Sequence, residues 1–193
     1  MENTTFKQKM TNILKRYGYY FILCILVIGA ILTMVLIGVS DNKKQQSVPT
    51  STKITPYMPV LNATLYKEYY GDELCYNATL KQWETHNGID LQVASGSSVY
   101  SILDGKVKDI YSNLLEGTVV VIEHADGLVS EYASLDSDLK VKVGDEVSRG
   151  DIIGAVSESA NAESDAGAHL HFSMFDNDKK IDPAAYLNIS SNK

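Results

Sequence analysis

The feature that most constrains this chain is an uncharged apolar run near its N-terminus. Residues 19–39, YYFILCILVIGAILTMVLIGV, contain no Asp, Glu, Lys or Arg over 21 positions. A helix of that length reaches about 31 Å, close to the roughly 30 Å hydrocarbon core of a bilayer. The run has no polar face, unlike a helix on the surface of a soluble domain. The sequence therefore predicts one transmembrane helix, and an independently folded domain must lie after it.

Charges around this run predict its orientation. The residues before it carry one acidic and four basic side chains: Glu2, and Lys7, Lys9, Lys15 and Arg16. Because the positively charged flank of a span stays in the cytoplasm, residues 1–18 are expected to form a cytoplasmic tail. A cleaved signal peptide is the alternative. Its apolar core would be about 7–15 residues long and would precede an A-x-A-like site, and no such site follows here.

The part of the chain after the span is acidic. From Gln45 onward there are 11 basic and 22 acidic residues, a net charge of −11. An acidic surface disfavours nucleic acid and anionic lipid as partners, and fits a cationic protein or the cell-wall environment. Cys24 lies in the predicted span and Cys75 lies outside it. The outer domain is therefore expected to fold without an internal disulfide.

Composition divides the outer part into four segments. Residues 40–56 are polar without periodicity and predict a linker. The Tyr-rich residues 57–82 predict an extension that packs on the core. Residues 83–188 contain many short apolar runs separated by Gly and Asp, which predicts an all-β domain with antiparallel sheets and a sandwich- or barrel-like core. Residues 189–193 are expected to be a tail.

Local turn signals predict how the strands connect. Asp104-Gly105 separates two short alternating runs and predicts a hairpin. HADG, at residues 124–127, predicts a second hairpin. LKVKVGDEVSRGDIIGAVS, at residues 139–157, repeats the pattern, with turns predicted at Gly144-Asp145 and at Arg149-Gly150-Asp151. HLHFSMF, at residues 169–175, is expected to be the last strand.

Three of the four His residues lie in two short motifs. THNGIDL places His86 four residues before Asp90, and GAHLHFSM contains His169 and His171. A strand puts residues i and i+2 on one face, so the last two rings should point the same way. Gly88 is expected to let the backbone bend so that His86 and Asp90 converge. Two imidazoles and a carboxylate suit zinc, although either motif alone is also compatible with ordinary surface or core histidines.

Residues 83–187 resemble the LytM or lysostaphin-like zinc peptidases, which are peptidoglycan endopeptidases with a duplicated-hybrid-motif domain. The matching segments occur in order: HNGIDLQVASGSSVYSILDGKV, VVVIEHADGLVSEYASL, VKVGDEVSRGDIIGAV, GAHLHFSM and IDPAAYL. The resemblance implies an all-β LytM-like fold that cuts peptides of the bacterial cell wall. It implies zinc bound by His86, Asp90 and His171, with His169 as a catalytic residue beside the metal-bound water.

One position departs from the family pattern. In YASL, Ser134 stands where active members have a second catalytic His. A serine hydroxyl is not a general base near neutral pH, and general acid–base assistance typically contributes about 10²–10⁴ in rate. His124 is the spare His, ten residues earlier, at a position where family members carry a His without a catalytic role. The resemblance therefore favours a domain that keeps zinc but has lost activity, with an active zinc-dependent peptidoglycan endopeptidase as the alternative.

The anchor, the short linker, the altered site and the segment KEYYGDELCYNATLKQWETHNGIDL together resemble the SpoIIQ-like family of sporulation proteins. This resemblance implies an anchor in the forespore membrane and an outer domain in the intermembrane space. It implies binding to a SpoIIIAH-like membrane protein of the mother cell, in an engulfment complex or channel, with peptidoglycan as a further ligand. A lipoyl or biotinyl carrier is a third interpretation, because VKVGDEVSRGDIIGAV is similar to the repeat of such domains. No Lys lies at the expected hairpin tips, which argues against it.

Overall fold

The computed structural model describes residues 11, 15–20, 23, 25–28 and 55–189. Among these residues, no helix is both long and apolar enough to cross a membrane. Most of the predicted span over 19–39 lies outside the described residues, and so does the predicted linker up to residue 54. Both therefore stay predictions. The folded unit described below begins at Thr55.

The outer domain is built from strands, as the turn-rich sequence predicts. Residues 55–189 contain twelve strands: β1 (Thr64–Lys67), β2 (Tyr70–Asn77), β3 (Gln82–His86), β4 (Ile89–Gln92), β5 (Ser98–Tyr100), β6 (Gly105–Asn113), β7 (Gly117–His124), β8 (Leu128–Leu135), β9 (Glu146–Val147), β10 (Ile152–Ala155), β11 (His169–Asp176) and β12 (Lys179–Ile181). Two 3₁₀ segments, Ala125–Gly127 and Asn161–Ala166, and one short helix, α1 (Pro183–Leu187), complete residues 55–189.

An antiparallel sheet of eight strands forms the body of the domain. Its order is β1-β4-β11-β8-β7-β6-β9, and β12 pairs with the outer part of β11. Two small antiparallel sheets flank it, one formed by β5 and β10 and the other by the hairpin of β2 and β3. The first and last thirds of the domain thus meet inside the large sheet, near its β1 edge, where β4 lies beside β11.

Burial on both faces explains the apolar sequence of β7, GTVVVIEH. Val120 and Ile122 point into the main core, which also contains Tyr132 and Phe172. The alternate residues of β7 are covered on the opposite face by a smaller apolar cluster. Strands covered on both sides read as continuous apolar runs rather than alternating ones. Full burial of side chains of this size contributes about 1.5–3 kcal/mol each.

The turn predictions have mixed outcomes. The HADG hairpin is confirmed, because β7 and β8 pair antiparallel across Ala125–Gly127. The Asp104-Gly105 hairpin is wrong, because β5 pairs with β10 while β6 pairs with β7 and β9. The two turns predicted at Gly144-Asp145 and Arg149-Gly150-Asp151 are present, but the strands around them do not pair with each other, because β9 pairs with β6 and β10 pairs with β5. β11 is not the last strand either, since β12 and α1 follow it.

Gly105 has a packing role instead of a hairpin role. A side chain there would place its Cβ 2.6 Å from the carbonyl oxygen of Glu123 on β7. The neighbouring Asp104 carboxylate accepts a hydrogen bond of 2.7 Å from the backbone N–H of Arg149. Asp104-Gly105 therefore carries the chain from the small sheet to the large one and joins two loops there.

The segment before the core contributes an edge strand and a hairpin. β1 pairs with β4, with Leu65 opposite Leu91. The β2–β3 hairpin ends at His86, and its Asn77 amide donates a 3.0 Å hydrogen bond to the carbonyl oxygen of Ala162. Asn77 is only 2% exposed. The hairpin is therefore tied to the Asn161–Ala166 segment, which lies beside the site described next.

Candidate metal centre

Five polar side chains from four segments of the chain meet where β4 lies beside β11. They are His86 at the end of β3, Asp90 in β4, Glu163 in the Asn161–Ala166 segment, and His169 and His171 in β11. The register of the central strand pair places His171 directly opposite Asp90. Leu170 and Phe172 alternate with the two histidines and are fully buried in the core, as the strand period predicts.

The sequence-predicted ligand set is brought together at short range. Oδ1 of Asp90 lies 2.9 Å from Nδ1 of His171 and 3.2 Å from Nε2 of His86. The same two ring nitrogens are 3.3 Å apart. His86 and Asp90 are almost entirely buried, at 4% and 0% exposure. Three donor atoms of the types that zinc prefers thus converge on one point.

Backbone carbonyls orient two of the rings. Nδ1 of His86 lies 2.7 Å from the carbonyl oxygen of Glu68, and Nδ1 of His169 lies 2.7 Å from that of Gly167. A carbonyl can only accept, so each Nδ1 carries a proton, and in the neutral ring each Nε2 has a lone pair that faces the cluster. Metal-binding histidines are held in this way by a hydrogen bond on the nitrogen that points away from the metal.

Gly88 is required for a reason other than the predicted bend. A Cβ at this position would lie 2.8 Å from Nε2 of His171 and 2.7 Å from the carbonyl oxygen of Phe172. Its φ lies outside the left-handed region. The glycine therefore lets the His86–Asp90 connection pass directly against the His171 ring, and a side chain there would displace that ring from the cluster.

The unpaired atoms and the charge of the cluster fit a cation. Two buried side-chain atoms in the described part of the chain have no hydrogen-bond partner, Oδ2 of Asp90 and Nε2 of His169. Burial alone would lower the pKa of His171, but hydrogen bonds to Asp90 and Glu163 outweigh it and raise that pKa to about 10. At His86, burial likewise lowers the pKa, and hydrogen bonds to Asp90 and Glu163 raise it. The overall pKa of His86 is raised. The cluster therefore stabilises positive charge, and a zinc ion would supply it.

The part of the chain that contains this cluster matches a known peptidase family. Residues 84–183, just over half of the chain, match the profile of Peptidase family M23. This chain belongs to peptidase family M23. The matched residues run from β3 to the start of α1 and include all five side chains of the cluster. The family resemblance drawn from the sequence motifs is therefore confirmed, and with it the all-β fold with antiparallel sheets.

Relatives of this M23 chain include proteins with different names. The chain is 30% identical to "Stage II sporulation protein Q" of Bacillus subtilis (strain 168), over 67% of this chain and 50% of that protein. It is 32% identical to an "Uncharacterized metalloprotease" of Buchnera aphidicola subsp. Baizongia pistaciae, over 56% of this chain and 28% of that protein. The M23 chain thus spans half or less of the length of these two relatives.

A solved structure shares the fold of this M23 domain. The structure is described as that of "the SpoIIQ-SpoIIIAH pore forming complex". The superposition has a TM-score of 0.61 and 28% sequence identity, and it covers 69% of this chain and 90% of the chain in that complex.

Glu163 is the one residue of the five-residue cluster that the sequence motifs did not predict. Its Oε1 lies 3.2 Å from Nε2 of His86, and its Oε2 lies 3.1 Å from Nδ1 of His171. Oε2 is also 3.5 Å from Nε2 of His169, at a distance for ion pairing but without hydrogen-bond geometry. Glu163 lies in the polar loop NAESDA, 77 residues after His86, and no spacing motif connects it to the other four.

Ser134, at the position where the M23 resemblance expects a His, lies near the end of β8, where the pairing with β7 is irregular. It is fully buried, its φ is 62°, and its backbone N–H donates to the carbonyl oxygen of Glu116 at 2.9 Å. Its hydroxyl donates a 3.2 Å hydrogen bond to the carbonyl oxygen of Ser157. Ser157 in turn forms a β-bridge with His169. Ser134 thus lies one strand away from His169, and its hydroxyl proton is committed to a backbone oxygen.

His124 does not join the M23 cluster. Its Nδ1 lies 2.9 Å from the carbonyl oxygen of Asp104, and its Nε2 lies 2.7 Å from the hydroxyl of Ser130. That hydroxyl is 3.1 Å from the hydroxyl of Tyr132, which accepts a hydrogen bond from the backbone N–H of Ile102. Both ring nitrogens are therefore occupied in a buried network of the core, as expected for a structural histidine.

Two cavities open on either side of Glu163. The smaller, about 220 Å³, is lined by His86, Glu131, Glu163 and His171 among others. The larger, about 840 Å³, lies between β1, the β2–β3 hairpin and the Asn161–Ala166 segment, and Cys75 is part of its wall. Pockets for small molecules usually measure about 300–1,000 Å³, so of these two cavities only the larger is within that range.

Proposed function

We propose that this chain is a membrane-anchored sporulation scaffold with a zinc-binding M23 domain that lacks peptidase activity. In this proposal the span over 19–39 anchors it in the forespore membrane, with residues 1–18 in the cytoplasm. The linker 40–56, the extension 57–82 and the domain 83–188 lie in the intermembrane space. There the domain docks a SpoIIIAH-like membrane protein of the mother cell. The similarity to stage II sporulation protein Q and to a SpoIIQ–SpoIIIAH complex supports this assignment.

Zinc has a structural role in this proposal. His86, Asp90 and His171 would hold the ion, and His169 would stand beside it. When bound, zinc can polarise a carbonyl or activate a water. The ligands come from β3, β4 and β11, so a metal held by them joins the beginning and the end of the domain. Metal binding that requires the folded state adds directly to folding stability.

The observation that carries the loss of activity is Ser134. A hydrolase of this type needs a group that can accept a proton from water near neutral pH. The Ser134 hydroxyl is buried, and it donates its proton to the carbonyl oxygen of Ser157. His124 is engaged with Asp104 and Ser130. Neither residue is available as the missing base.

The experiment measures activity and docking on the same protein. The full chain, purified in detergent, is incubated with peptidoglycan and separately with a SpoIIIAH-like outer domain. We expect no release of fragments and a stable complex. His169→Ala should leave docking unchanged, because this residue is beside the predicted ligand set and is not part of it. His124→Gln, outside the cluster, is the matched control.

An active zinc-dependent peptidoglycan endopeptidase is the second candidate. The observation that favours it is the unpartnered Nε2 of His169, which faces the cluster as a catalytic group would. Release of fragments by the wild type and not by His169→Ala would establish this alternative and overturn the loss of activity. Absence of docking by an otherwise folded chain would overturn the scaffold role.

A further inference from the structure

The carboxylate of Glu163 lies beside the three ligands predicted for a catalytic zinc centre. Such centres take three protein ligands and keep the fourth position open, whereas structural centres are closed by four protein ligands. In the described part of the chain, Glu163 joins His86, Asp90 and His171 in a group whose ligand atoms all lie within 4.8 Å of one another. Its side chain is only 13% exposed.

Five distances within this group are close to the edge length of a zinc tetrahedron. Bonds of about 2.0–2.1 Å place the ligand atoms of a tetrahedral site about 3.3 Å from one another. The three contacts among His86, Asp90 and His171 measure 2.9, 3.2 and 3.3 Å. Glu163 adds contacts of 3.2 Å to His86 and 3.1 Å to His171. Oε1 thus lies at this spacing from His86, and Oε2 lies at this spacing from His171.

The backbone around Glu163 is fixed by contacts on both sides. The Asn77 amide donates to the carbonyl oxygen of Ala162, and the Gln92 amide donates to that of Ala166 at 2.8 Å. The hydroxyls of Tyr66 and Thr79 donate to the two carboxylate oxygens of Asp165. Glu163 therefore reaches the cluster from a segment held by the β2–β3 hairpin, by β1 and by β4, and its position does not depend on a free loop.

Charge balance favours the same arrangement. Two neutral imidazoles and one carboxylate around Zn²⁺ leave a buried charge of +1, whereas a second carboxylate makes the centre neutral. Removing net charge from a buried site lowers the cost of desolvation. Lys67 also pairs with this carboxylate, with Nζ 3.8 Å from Oε1 of Glu163.

We propose that Glu163 is a fourth protein ligand that closes the metal site and takes the position of the water. This inference rests on the proposed zinc site and deepens it. It gives a second, independent reason for the loss of activity, because a closed site has no water to activate even if a base were restored at position 134. Glu163 could instead be a general base that replaces the missing His. That role requires an open metal site that keeps a bound water.

Cobalt substitution distinguishes these arrangements without an activity assay. The full chain in detergent is loaded with Co²⁺, whose visible absorption reports coordination, and is then titrated with azide as an external ligand. We expect the wild-type spectrum not to respond to azide. Glu163→Ala should respond, because the substitution opens the fourth position. The isosteric Glu163→Gln guards against a folding artefact and should respond too. Glu158→Gln, an exposed acid in the same loop region, should behave as the wild type.

Zinc affinity gives the second readout. We expect Glu163→Ala to weaken zinc binding at least about tenfold in competition with a chelating dye, and Glu158→Gln to leave it unchanged. An azide response of the wild type, or an unchanged affinity of Glu163→Ala, would overturn this inference alone. Failure of the wild type to bind either Co²⁺ or Zn²⁺ would overturn the proposed zinc site itself.

Discussion

Asp90 and His171 face each other across the β4–β11 pair, with Oδ1 and Nδ1 2.9 Å apart, although 81 residues separate them in the sequence. The register of two neighbouring strands, and not a local loop, therefore sets the distance between these two side chains. A shift by one residue would turn His171 to the opposite face of the sheet. The candidate centre thus exists only in the folded domain.

The first prediction concerns metal content. We expect one zinc per chain in the wild type, measured by elemental analysis after removal of loosely bound metal. His86→Ala should lose most of it, because this residue provides one of the converging nitrogens. The control is His124→Gln, which removes a buried His outside the cluster and should retain the full metal content. Full zinc retention by His86→Ala would contradict the ligand assignment.

The second prediction concerns removal of the metal. A ligand that binds only the folded state at 100 times its dissociation constant adds about 2.7 kcal/mol. For a domain of this size we expect a chelator to lower the melting temperature of the wild type on the order of 10 °C. The same chelator should change the melting temperature of His86→Ala little. Equal shifts in the two proteins would show that the chelator acts elsewhere.

These two predictions rest on residues that the sequence identified, and the reason is their local spacing. His86 and Asp90 lie within one five-residue motif, and His169 and His171 within another, so strand periodicity and family pattern suffice to group them. Ser134 was found as a departure from the same pattern. Glu163 belongs to no such motif, because it reaches the cluster only through a loop that the β2–β3 hairpin holds in place.

The hairpin errors have a related cause. Asp104-Gly105 has the residue types of a tight turn, and local chemistry cannot show that β5 pairs with β10, about fifty residues later. Competing long-range partners override the local signal. HADG was predicted correctly because β7 and β8 are neighbours both in sequence and in the sheet.

The third prediction concerns the backbone at Ser134. Its φ of 62° is in the left-handed region, which costs a non-glycine residue roughly 1–2 kcal/mol. Ser134→Gly relieves that strain and loses one hydrogen bond worth about 0.5–1.5 kcal/mol. We therefore expect the free energy of unfolding to change by less than about 1 kcal/mol. Ser134→Val should destabilise the domain by about 2 kcal/mol or more, because a β-branched residue tolerates this conformation poorly. Chemical denaturation measures the unfolding free energy of both variants. A Ser134→Gly protein less stable than Ser134→Val would contradict backbone strain at this position.

The fourth prediction concerns pH. Burial lowers the pKa of His124 below its ordinary value, although the hydrogen bond to the Asp104 carbonyl and the Asp104 charge partly offset this. The folded state therefore prefers the neutral ring. The stability that the neutral His124 ring contributes is fully present above its unfolded pKa of about 6.5. It is lost as the pH falls through the lower pKa of the folded state. The difference in unfolding free energy between the wild type and His124→Gln should shrink from pH 7.5 to pH 5. A constant difference over that range would contradict it.

The position of β11 between β4 and β8 also affects how fast the domain folds and how long it stays folded. β6, β7 and β8 are joined in sequence by short connections, whereas the β4–β11 pair must close a loop of roughly 80 residues. Distant pairings of this kind form late and slow the folding reaction. An ion that binds after this closure cannot speed it, but it opposes reopening. Bound zinc would thus act on the unfolding rate, lengthening the lifetime of the domain against proteases while leaving its rate of appearance after synthesis unchanged.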